Sequence, residues 1–385
     1  MTALVVLSAI YISLLLAKTA AAAWVVRRTD RIHEATGAGV SIGQAILGGD
    51  PRLSEVLEWN LHELPEAQFL WLLDDDDAVG QAVCRELAAR HPQLRIEILS
   101  SPEPPAGQNP KVYKLARARP AMREPLLLVL DDDTRMPAAT LAALLAALDP
   151  GPSPKIVVAT SLPGYLDDGR WPSRLLAQFV DNNAALTYLP LLPFLEPLTL
   201  NGMAYAMRVD DLDRLGGFPP LLGYLTDDLA VAEAALAAGG RIEQIARPHW
   251  VETTVRDGRH YLQLMHRWYV FALLLLRKQR WGTALAISLL NGLPAALLLA
   301  LVTRTVASPS TVSCTVLLTV LILRGLDLVW LQRAVYGRSL HAPLTSLLSE
   351  LAQPFHLAHA LLWRRIVWRK RRYRVRNDHD FQDLS

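Results

Sequence analysis

Apolar segments at both ends of the chain constrain its fold more than any other feature of the sequence. The first, Ala3–Val26, is almost continuously apolar and is followed directly by Arg27 and Arg28. Two others, Thr283–Val302 and Val312–Trp330, are each about long enough to cross a bilayer as one helix. The sequence therefore predicts an integral membrane protein with spanning helices near both termini.

We interpret residues 1–28 as an uncleaved transmembrane anchor. A cleaved signal peptide is the alternative, because Ala20–Ala23 would suit processing. However, no basic residue precedes the apolar run, and the positive charge follows it. The positive-inside rule then places the N-terminus outside and the next domain in the cytoplasm. We expect the protein in the inner or plasma membrane, with a cytoplasmic catalytic domain.

The C-terminal region, residues 283–363, is expected to lie in the membrane, but its last part allows two interpretations. Pro343–Trp363 is apolar with polar interruptions such as Glu350, and the run Arg364–Arg376 after it is strongly basic. If this segment crossed the membrane, that run would lie outside, against the positive-inside tendency. We predict an interfacial or re-entrant helix, with a spanning helix as the alternative. The tail, residues 364–385, would then be cytoplasmic and bind anionic lipid head groups.

Between the membrane segments, residues 35–255 alternate strand patterns with helix patterns. The predicted strands are short runs rich in apolar residues, at Val40–Leu47, Phe69–Leu73, Leu94–Leu99, Leu126–Leu130, Lys155–Ser161 and Met203–Arg208. The predicted helices are at Leu53–Leu61, Ala82–Arg90, Ala138–Leu148, Arg174–Leu186 and Asp228–Ala238. This alternation predicts an α/β domain, in which a mostly parallel sheet is covered by helices on both faces. Ligands of such sheets bind beyond the carboxyl ends of the strands.

Two acidic clusters predict the chemistry of this domain. Asp131–Asp133 directly follow the apolar run Leu126–Leu130, and Asp227 and Asp228 open a helical pattern further along the chain. Carboxylates at the end of a buried strand repel one another and resist dehydration. A hard divalent cation with oxygen ligands relieves both problems, and such a cation usually holds phosphate oxygens as well. The pattern predicts a metal and diphosphate site with a separate general base.

Transfer of a sugar from a nucleotide diphosphate fits this pattern. A divalent cation, Mn²⁺ or Mg²⁺, held by Asp131 and Asp133 would neutralise the charge that develops on the leaving group. Asp228 is the candidate base for the acceptor hydroxyl. Its position at a helix start is expected to keep it ionised. In-line attack with one base predicts inversion at the anomeric carbon.

The motifs, in this order, resemble those of membrane-bound family 2-type glycosyltransferases, and most closely the ceramide glucosyltransferase-like branch. The resembling elements, between about Val40 and Trp268, are Gly48–Pro51, Asp74–Asp77, Gln108–Val112, Asp131–Asp133, Arg214–Phe218, Thr226–Asp228 and Arg267-Trp268. The resemblance implies a GT-A type nucleotide-sugar-binding domain, with transmembrane helices on its N-terminal and C-terminal sides. It also implies a UDP-sugar as the donor substrate.

The resemblance also implies roles for individual residues. Contacts to the donor are implied for four of them: Asp50, Asp74, Lys111 and Asp131. Asp131 and Asp133 are similar to the metal-binding pair of the family, and Asp228 to its catalytic base. Closure of the active site or contact with the acceptor is implied for Asp227, Arg267 and Trp268.

Simpler interpretations of Asp74, Lys111 and Asp228 also stay open. Asp74 would also suit a solvated acidic turn, and Lys111 an ordinary surface lysine. Asp228 would also suit the N-terminal acid of its helix. His266, beside Arg267, is interpreted as a structural or interfacial histidine, because no partner motif supports a metal ligand there.

The segment that leads into the second membrane region mixes aromatic, basic and leucine residues. We interpret residues 256–281 as an amphipathic helix at the cytoplasmic membrane surface, with a core helix of the soluble domain as the alternative. If Arg267 and Trp268 face the active site while the leucines face lipid, the site lies at the bilayer surface. This geometry predicts a membrane lipid such as ceramide as the acceptor of glucose or a related hexose.

Two other functions remain open at this point. A processive polysaccharide synthase would need enough spanning helices to build a channel, and the sequence offers three firm ones. A catalytically inactive membrane adaptor would be expected to lose an aspartate motif, and all three motifs are present. We expect no nucleic-acid partner. Cys84 and Cys314, the two cysteines, fall in very different segments, so a disulfide framework is not predicted.

Overall fold

A computed structural model describes residues 2–28, 35–148, 155–368 and 371–384. In these ranges the helices are α1 (Thr2–Arg28), α2 (Leu53–Glu63), α3 (Ala78–Arg90), α4 (Pro110–Ala118), α5 (Ala138–Ala147), α6 (Trp171–Tyr188), α7 (Val209–Arg214), α8 (Asp227–Ala237), α9 (Gly258–Lys278), α10 (Trp281–Ala307), α11 (Thr311–Tyr336) and α12 (Pro343–Leu362). The strands are β1 (Val40–Ala45), β2 (Gln68–Asp74), β3 (Arg95–Ser101), β4 (Leu126–Leu130), β5 (Thr134–Arg135), β6 (Val157–Tyr165), β7 (Ala204–Arg208), β8 (Arg241–Val251), β9 (Arg365–Trp368), β10 (Arg371–Val375) and β11 (Phe381–Asp383).

Eight strands form one parallel-rich sheet in the order β3-β2-β1-β4-β7-β6-β8-β5. Strands β3, β2, β1 and β4 run parallel, as do β6 and β8. Strand β7 is antiparallel to both of its neighbours, β4 and β6. Its N-terminal end therefore lies at the same edge as the carboxyl end of β4, and the Asp131 amide donates to the Met203 carbonyl there (2.9 Å). The prediction of an α/β domain is confirmed.

Alternating side chains of the central strands fill two apolar layers, one on each face of the sheet. On β2, Phe69, Trp71 and Leu73 pack into the layer that also contains side chains of α2, α3 and α5. Leu70 and Leu72 pack on the opposite face, with side chains of α4 and α8. Successive residues of a strand point to opposite faces, so a continuous apolar run is what a strand with two covered faces requires.

The sequence analysis predicted neither strand β8 nor helix α4. Strand β8 is long, but Arg241, Glu243 and Gln244 interrupt its apolar residues, and its side chains alternate irregularly between buried and half-buried. Helix α4 is short and contains two lysines, Lys111 and Lys114. Both elements are stabilised by tertiary contacts more than by a local apolar pattern. Both of them reach the candidate active site.

Three helices, α1, α10 and α11, are long and apolar enough to cross a membrane. Charged side chains between these helices have partners. The Arg324 Nε lies 2.7 Å from a Glu350 oxygen of α12, and the Lys18 Nζ donates to the Leu290 carbonyl at 2.8 Å. Ion pairs and backbone acceptors of this kind are the arrangement expected for charges inside a membrane bundle.

Helix α12 contacts α6 of the catalytic domain near its start and α9 near its end. The Ala342 amide, just before it, donates to the Gln178 side chain of α6 at 3.2 Å. Near its other end, the Nδ1 atoms of His359 and His266 of α9 are 2.7 Å apart. The interfacial interpretation of Pro343–Trp363 agrees with contacts at both ends of the helix and stays a prediction.

The basic tail folds into a three-stranded antiparallel sheet, β9-β10-β11, which the sequence analysis did not predict. Tyr373, Val375 and Phe381 face an apolar cluster that includes Val270 and Leu274 of α9. The alternation of Arg with Tyr and Val in this segment is the pattern of a half-buried strand, and the high charge concealed it. Positions 369 and 370 of the predicted basic run lie outside the described residues.

Candidate active site

The carboxyl ends of β1, β2 and β4 meet at one edge of the sheet and bring the first acidic motifs together. Asp74 is the last residue of β2, and Asp131 follows β4 directly. Asp50 lies in the loop after β1. Helix α8 begins at Asp227, and Lys111 contacts both Asp227 and Asp131. The prediction that the aspartates after β2 and β4 line the same crevice agrees with this arrangement.

Lys111 of α4 connects the second aspartate motif, Asp131–Asp133, with the third, Thr226–Asp228. Its Nζ lies 2.7 Å from the Asp131 Oδ1 and 3.0 Å from the Asp227 Oδ2, and it donates to the Gly202 carbonyl at 2.7 Å. Burial alone would lower the pKa of Lys111, but the carboxylates of Asp131 and Asp227 outweigh burial and raise it. With 6% of its surface exposed, Lys111 is not a surface lysine.

Asn109 positions Lys111 and also holds the loop before the third motif. Its side-chain oxygen accepts hydrogen bonds from the amides of Lys111 (2.9 Å) and Val112 (3.2 Å), which caps α4. Its side-chain nitrogen donates to the carbonyls of Tyr224 (3.2 Å) and Leu225 (3.0 Å). Proline at the next position suits the first turn of a helix. The Asn-Pro-Lys element therefore fixes two parts of the site at once.

Lys114, one turn after Lys111, is the counter-ion of the first aspartate motif, Asp74–Asp77, as Lys111 is of the other two. Its Nζ lies 3.0 Å from the Asp74 Oδ2, and it also donates to the Ile46 carbonyl at 3.3 Å. Because Lys114 is buried, Asp74 is not a merely solvated turn residue. The contact of Asp74 with a donor stays a prediction. The sequence analysis missed Lys114, although its spacing from Lys111 places both on one helix face.

Asp77 and Asp50 organise the loop after β1. The Asp77 carboxylate caps α3 through the Gly80 amide (3.1 Å) and accepts a hydrogen bond from the Gly48 amide (2.6 Å). Asp50 accepts hydrogen bonds from the amide (3.0 Å) and the hydroxyl (2.7 Å) of Thr254, which follows β8. A Cβ on Gly48 would lie 2.4 Å from the Gly80 nitrogen, so only glycine fits there. The donor contact of Asp50 stays a prediction.

Asp133 is half-buried in a strongly acidic environment. It accepts hydrogen bonds from the hydroxyls of Thr134 (3.2 Å) and Thr253. Burial, and then the neighbouring charges of Asp132 and Asp131, raise the pKa of Asp133 to about 7. Such repulsion between carboxylates is what a bound cation relieves. The oxygen donor set therefore fits a hard divalent ion, which takes one or two protein carboxylates and completes its shell with phosphate oxygens and water.

A different group of side chains has the spacing of three metal ligands in the described part of the chain. It consists of Glu58 and His62 of α2 with His91 after α3, whose ligand atoms all lie within 4.8 Å of one another. This group is not at the acidic edge of the sheet. The described residues at Asp131 and Asp133 form no such three-ligand group, so an ion there would complete its shell with phosphate oxygens and water.

Asp228 is half-buried at the first turn of α8. Its Oδ1 accepts a hydrogen bond from the Leu229 amide at 2.8 Å. Burial, and then the charge of Asp227, raise the pKa of Asp228 to about 7. The expectation that the helix start would keep it ionised is wrong, because burial outweighs the favourable helix end. A Cβ on Gly202 would lie 3.1 Å from the Asp228 Cβ, so glycine keeps this side open.

Two tyrosines near the candidate base, Asp228, were not identified from the sequence. The Tyr205 hydroxyl is buried without a hydrogen-bond partner in the described part of the chain. Burial and the charge of Asp227 raise its pKa. Burial, and then the charge of Asp228, raise the pKa of Tyr188 to about 12. Tyr205 lies in a predicted core strand and Tyr188 at the end of a predicted helix, so no local signal distinguished them.

Helix α9 brings the Arg-Trp element to the other side of the site. The ring of Trp268 lies 5.9 Å from that of Tyr165 and 6.2 Å from that of Phe179. Burial and the charge of Asp133 raise the pKa of Tyr165, whereas the charge of Arg267 lowers it. Arg267 and Asp133 therefore act on the same tyrosine. Their contacts with donor and acceptor stay predictions.

His266, beside this element, has a structural environment. One ring nitrogen lies 3.0 Å from the Arg365 carbonyl of β9, and the other faces His359 of α12. Both positions are occupied by protein atoms that connect three elements. The interpretation of His266 as a structural or interfacial histidine is therefore supported.

The sheet, the acidic edge with its buried lysines and the flanking apolar helices together define a GT-A type glycosyltransferase with helices that can cross a membrane. The chain belongs to glycosyl transferase family 21, whose sequence model matches residues 1–381. The resemblance to the ceramide glucosyltransferase-like branch is thereby confirmed.

A curated relative and two solved structures illustrate the similarity. Ceramide glucosyltransferase 1 of Caenorhabditis elegans is 29% identical over 205 residues, which are 52% of this chain and 42% of the relative. The match thus spans less than half of the relative's length. A mannosyltransferase of Pyrobaculum calidifontis, solved with GDP-Man and Mn²⁺, has a TM-score of 0.52 at 17% identity and covers 92% of this chain and 98% of its own. Glucosyl-3-phosphoglycerate synthase of Mycobacterium tuberculosis has a TM-score of 0.34 at 16% identity, covering 60% and 78%, respectively.

Proposed function

We propose that this glycosyltransferase moves one hexose, such as glucose, from a UDP-sugar to the hydroxyl of a membrane lipid, with inversion at the anomeric carbon. The observation that carries the proposal is the position of Lys111. This buried cation joins the carboxylate expected to face the diphosphate, Asp131, to the motif that contains the candidate base, Asp227-Asp228. The donor site and the base are thus parts of one compact network. The name of the C. elegans relative supports a ceramide-like acceptor.

On the donor side, Asp131 and Asp133 would hold a divalent cation, Mn²⁺ or Mg²⁺. When bound, the ion would supply charge stabilisation for the departing diphosphate. Lys111 and Lys114 keep the surrounding carboxylates in place and balance their charge. The P. calidifontis mannosyltransferase, which shares the fold, was solved with GDP-Man and Mn²⁺, and this supports a divalent cation and a nucleotide-sugar donor.

On the acceptor side, Asp228 would accept the proton of the attacking hydroxyl. Its pKa of about 7 suits a group that must take up a proton at neutral pH and release it afterwards. Asp227 is less suited to this role, because its carboxylate contacts the Lys111 ammonium. A single base opposite the leaving group supports inversion.

A lipid acceptor is supported by the direct packing of the catalytic domain on the membrane helices. The Tyr336 hydroxyl of α11 donates to the Pro163 carbonyl of β6 at 3.2 Å. Asn182 of α6 accepts a hydrogen bond from Gln332 of α11 and donates one to Ser346 of α12, both at 2.9 Å. A site held at the membrane need not extract the lipid, and each CH₂ moved into water would cost about 0.8 kcal/mol.

Anionic lipid head groups are proposed as a second membrane contact, at the C-terminal sheet. Arg365 and Arg374 lie directly opposite each other on β9 and β10, and both are exposed. Like charges in directly opposed positions destabilise a sheet unless anions neutralise them. Together with Arg27 and Arg28 in the last turn of α1, these arginines support a cytoplasmic orientation of the catalytic domain.

The test is to incubate the purified protein with several UDP-sugars, Mn²⁺ and a membrane lipid extract, and to identify products by mass spectrometry. We expect one hexose mass to be added to a lipid such as ceramide, and Asp228→Asn to abolish the product. A soluble or secreted polymer would favour the polysaccharide synthase instead. Absence of any transfer with every donor would favour the inactive adaptor, against which the three intact aspartate motifs argue.

A further inference from the structure

The turn between β10 and β11 packs against the loop that leads into α8. Asp378 lies in this turn and is 1% exposed. Its Oδ1 accepts hydrogen bonds from the amide (2.9 Å) and the hydroxyl (2.7 Å) of Thr226, and its carbonyl accepts one from the Leu225 amide (2.9 Å). A residue of the C-terminal tail therefore holds the two residues that precede Asp227 and Asp228.

The other oxygen of Asp378 is neutralised from α9. The Lys278 Nζ lies 2.7 Å from the Asp378 Oδ2 and 2.9 Å from a Glu233 oxygen of α8. Helix α9 is also the helix that carries Arg267 and Trp268. One buried carboxylate thus connects the tail, the start of the helix with the base and the end of the helix with the Arg-Trp element.

The hydrogen bonds of Asp378 change how α8 begins. Thr226 is at the N-cap position, where a threonine hydroxyl normally accepts a hydrogen bond from the first turn. Here the hydroxyl makes no such bond and donates to Asp378 instead. The first-turn amide of Leu229 is bonded by the Asp228 carboxylate. Because the Thr226 hydroxyl donates to Asp378, it does not cap α8. The Asp228 carboxylate accepts the hydrogen bond of the Leu229 amide in its place.

The same loop is held on its other side by α4. Asn109 donates to the carbonyls of Tyr224 and Leu225, whereas Asp378 accepts from the amides of Leu225 and Thr226. The ring of His379, next to Asp378, lies 3.8 Å from the ring of Tyr224. The loop is clamped between a motif in the middle of the chain and a turn near its end.

We propose that Asp378 is a positioning residue for glycosyl transfer and that the C-terminal sheet is part of the active site. It fixes the loop 224–228 and, through it, the carboxylate of Asp228. This inference rests on the proposed function, because it takes Asp228 as the base. In the described part of the chain, its contacts run to this loop and to Lys278, and not to the donor-side residues Asp131 and Asp133, so it should affect turnover more than donor binding.

Kinetics of the full-length protein in lipid nanodiscs test this separation. Asp378→Ala should lower kcat about tenfold or more and leave the KM for the UDP-sugar within about twofold. Asp378→Asn retains an acceptor oxygen for Thr226 and should recover part of the rate. Asp380→Asn is the matched control, because this exposed carboxylate of the same turn pairs only at 3.6 Å with Arg376. It should behave like the wild type.

A double-mutant cycle tests whether Asp378 acts through Thr226. Thr226→Val removes the hydroxyl with little change in shape and should lower kcat in the wild-type background. In the Asp378→Ala background it should lower kcat by less than about twofold more, because the shared hydrogen bond is already lost. Fully multiplicative losses would contradict action through this bond.

Hydrogen exchange separates this inference from the proposed function, because it needs no activity. In Asp378→Ala, amides of residues 224–229 should exchange faster, while those of β1, β2 and β4 exchange as in the wild type. Unchanged exchange with unchanged kcat would overturn the inference. So would equal losses of kcat and donor affinity with a lower melting temperature, which would indicate a merely structural role. If the wild type transfers no sugar, the proposed function fails, and exchange still decides whether Asp378 holds the loop.

Discussion

At the scale of single residues, Lys111 explains how motifs distant in the sequence act as one site. Its ammonium lies between Asp131 and Asp227, and all three side chains are at least partly buried. Removing the lysine would leave two carboxylates facing each other without a counter-ion, which costs far more than the loss of a surface ion pair. Lys111 therefore organises the acidic network, whether or not it also touches the donor.

The first prediction concerns the base. Asp228→Asn retains size and hydrogen bonding but cannot accept the proton, so turnover should fall by about 10²–10⁴-fold. UDP binding, measured by calorimetry, should stay close to that of the wild type. Wild-type turnover of this variant would move the role to another residue, and Asp227 would be the next candidate.

The second prediction concerns pH. The folded protein raises the pKa of Asp228 to about 7, and a base acts only in its ionised form. Activity should therefore be full above about pH 8 and fall as the pH decreases through 7, with an acid limb far above the pKa of an ordinary aspartate. The pH dependence of kcat, measured with saturating metal, checks this. An acid limb near pH 4 would contradict it.

The third prediction concerns the metal. Because the pKa of Asp133 is raised by burial and by its acidic neighbours, a cation should bind here and displace the proton. EDTA should abolish transfer, and added Mn²⁺ or Mg²⁺ should restore it. Asp131→Ala and Asp133→Ala should remove both transfer and metal-dependent UDP binding. Full activity in EDTA would exclude the metal-dependent mechanism.

At the scale of elements, α4 is the helix on which the site depends. It is nine residues long and contributes the cap that holds the loop before α8, as well as both buried lysines. A helix this short has little stability by itself, so its cap and its tertiary contacts decide whether it forms. The same reasoning explains why the sequence did not predict it.

The fourth prediction tests this element. Asn109→Ala removes the cap of α4, which contributes about 1 kcal/mol, and also the two bonds to the loop. Both the melting temperature and kcat should fall. Ser310→Ala is the matched control, because Ser310 caps α11 by the same kind of bond. Loss of the Ser310 cap should lower the melting temperature with little change in kcat. An equal fall of kcat in both variants would contradict a specific role of Asn109 in holding the loop before α8.

At the scale of the whole molecule, the catalytic domain, the apolar helices and the C-terminal sheet share interfaces. Helix α6 contacts β6 of the domain and α12 of the membrane region, and α9 contacts the C-terminal sheet. The tail returns across more than a hundred residues to hold the loop before α8. The candidate active site is therefore assembled from segments that lie far apart in the chain.

The fifth prediction concerns the basic face of the C-terminal sheet. In nanodiscs with anionic lipid, residues 365–375 should exchange hydrogen more slowly than in neutral nanodiscs, since each arginine near the surface contributes about 1 kcal/mol. The double variant Arg365→Gln with Arg374→Gln should lose most of this difference. Arg123→Gln, a charge loss at an exposed site of the catalytic domain, should not. Equal exchange in both lipids would contradict lipid binding by the tail.

The pattern of apolar residues along the sequence predicted the helices and strands that such a pattern marks clearly. The six predicted strands and the three apolar helices all exist, with boundaries shifted by a few residues, because most of them are marked by a run of apolar side chains. Strand β8 and the C-terminal sheet were missed, because their charged residues conceal a half-buried alternation. The closeness of the aspartates after β2 and β4 was predicted because strand ends at the same edge of a parallel sheet lie close together.

The sequence by itself thus determined the class of fold, the apolar helices and the positions of the acidic motifs, since these depend on periodicity and short-range order. Only the tertiary structure decided which cation joins Asp131 to Asp227, and which distant carboxylate holds Thr226. It also decided the pKa of Asp228, which burial raises against the helix end. Burial depth and contacts between distant segments set all three, and no local pattern of residues specifies either quantity.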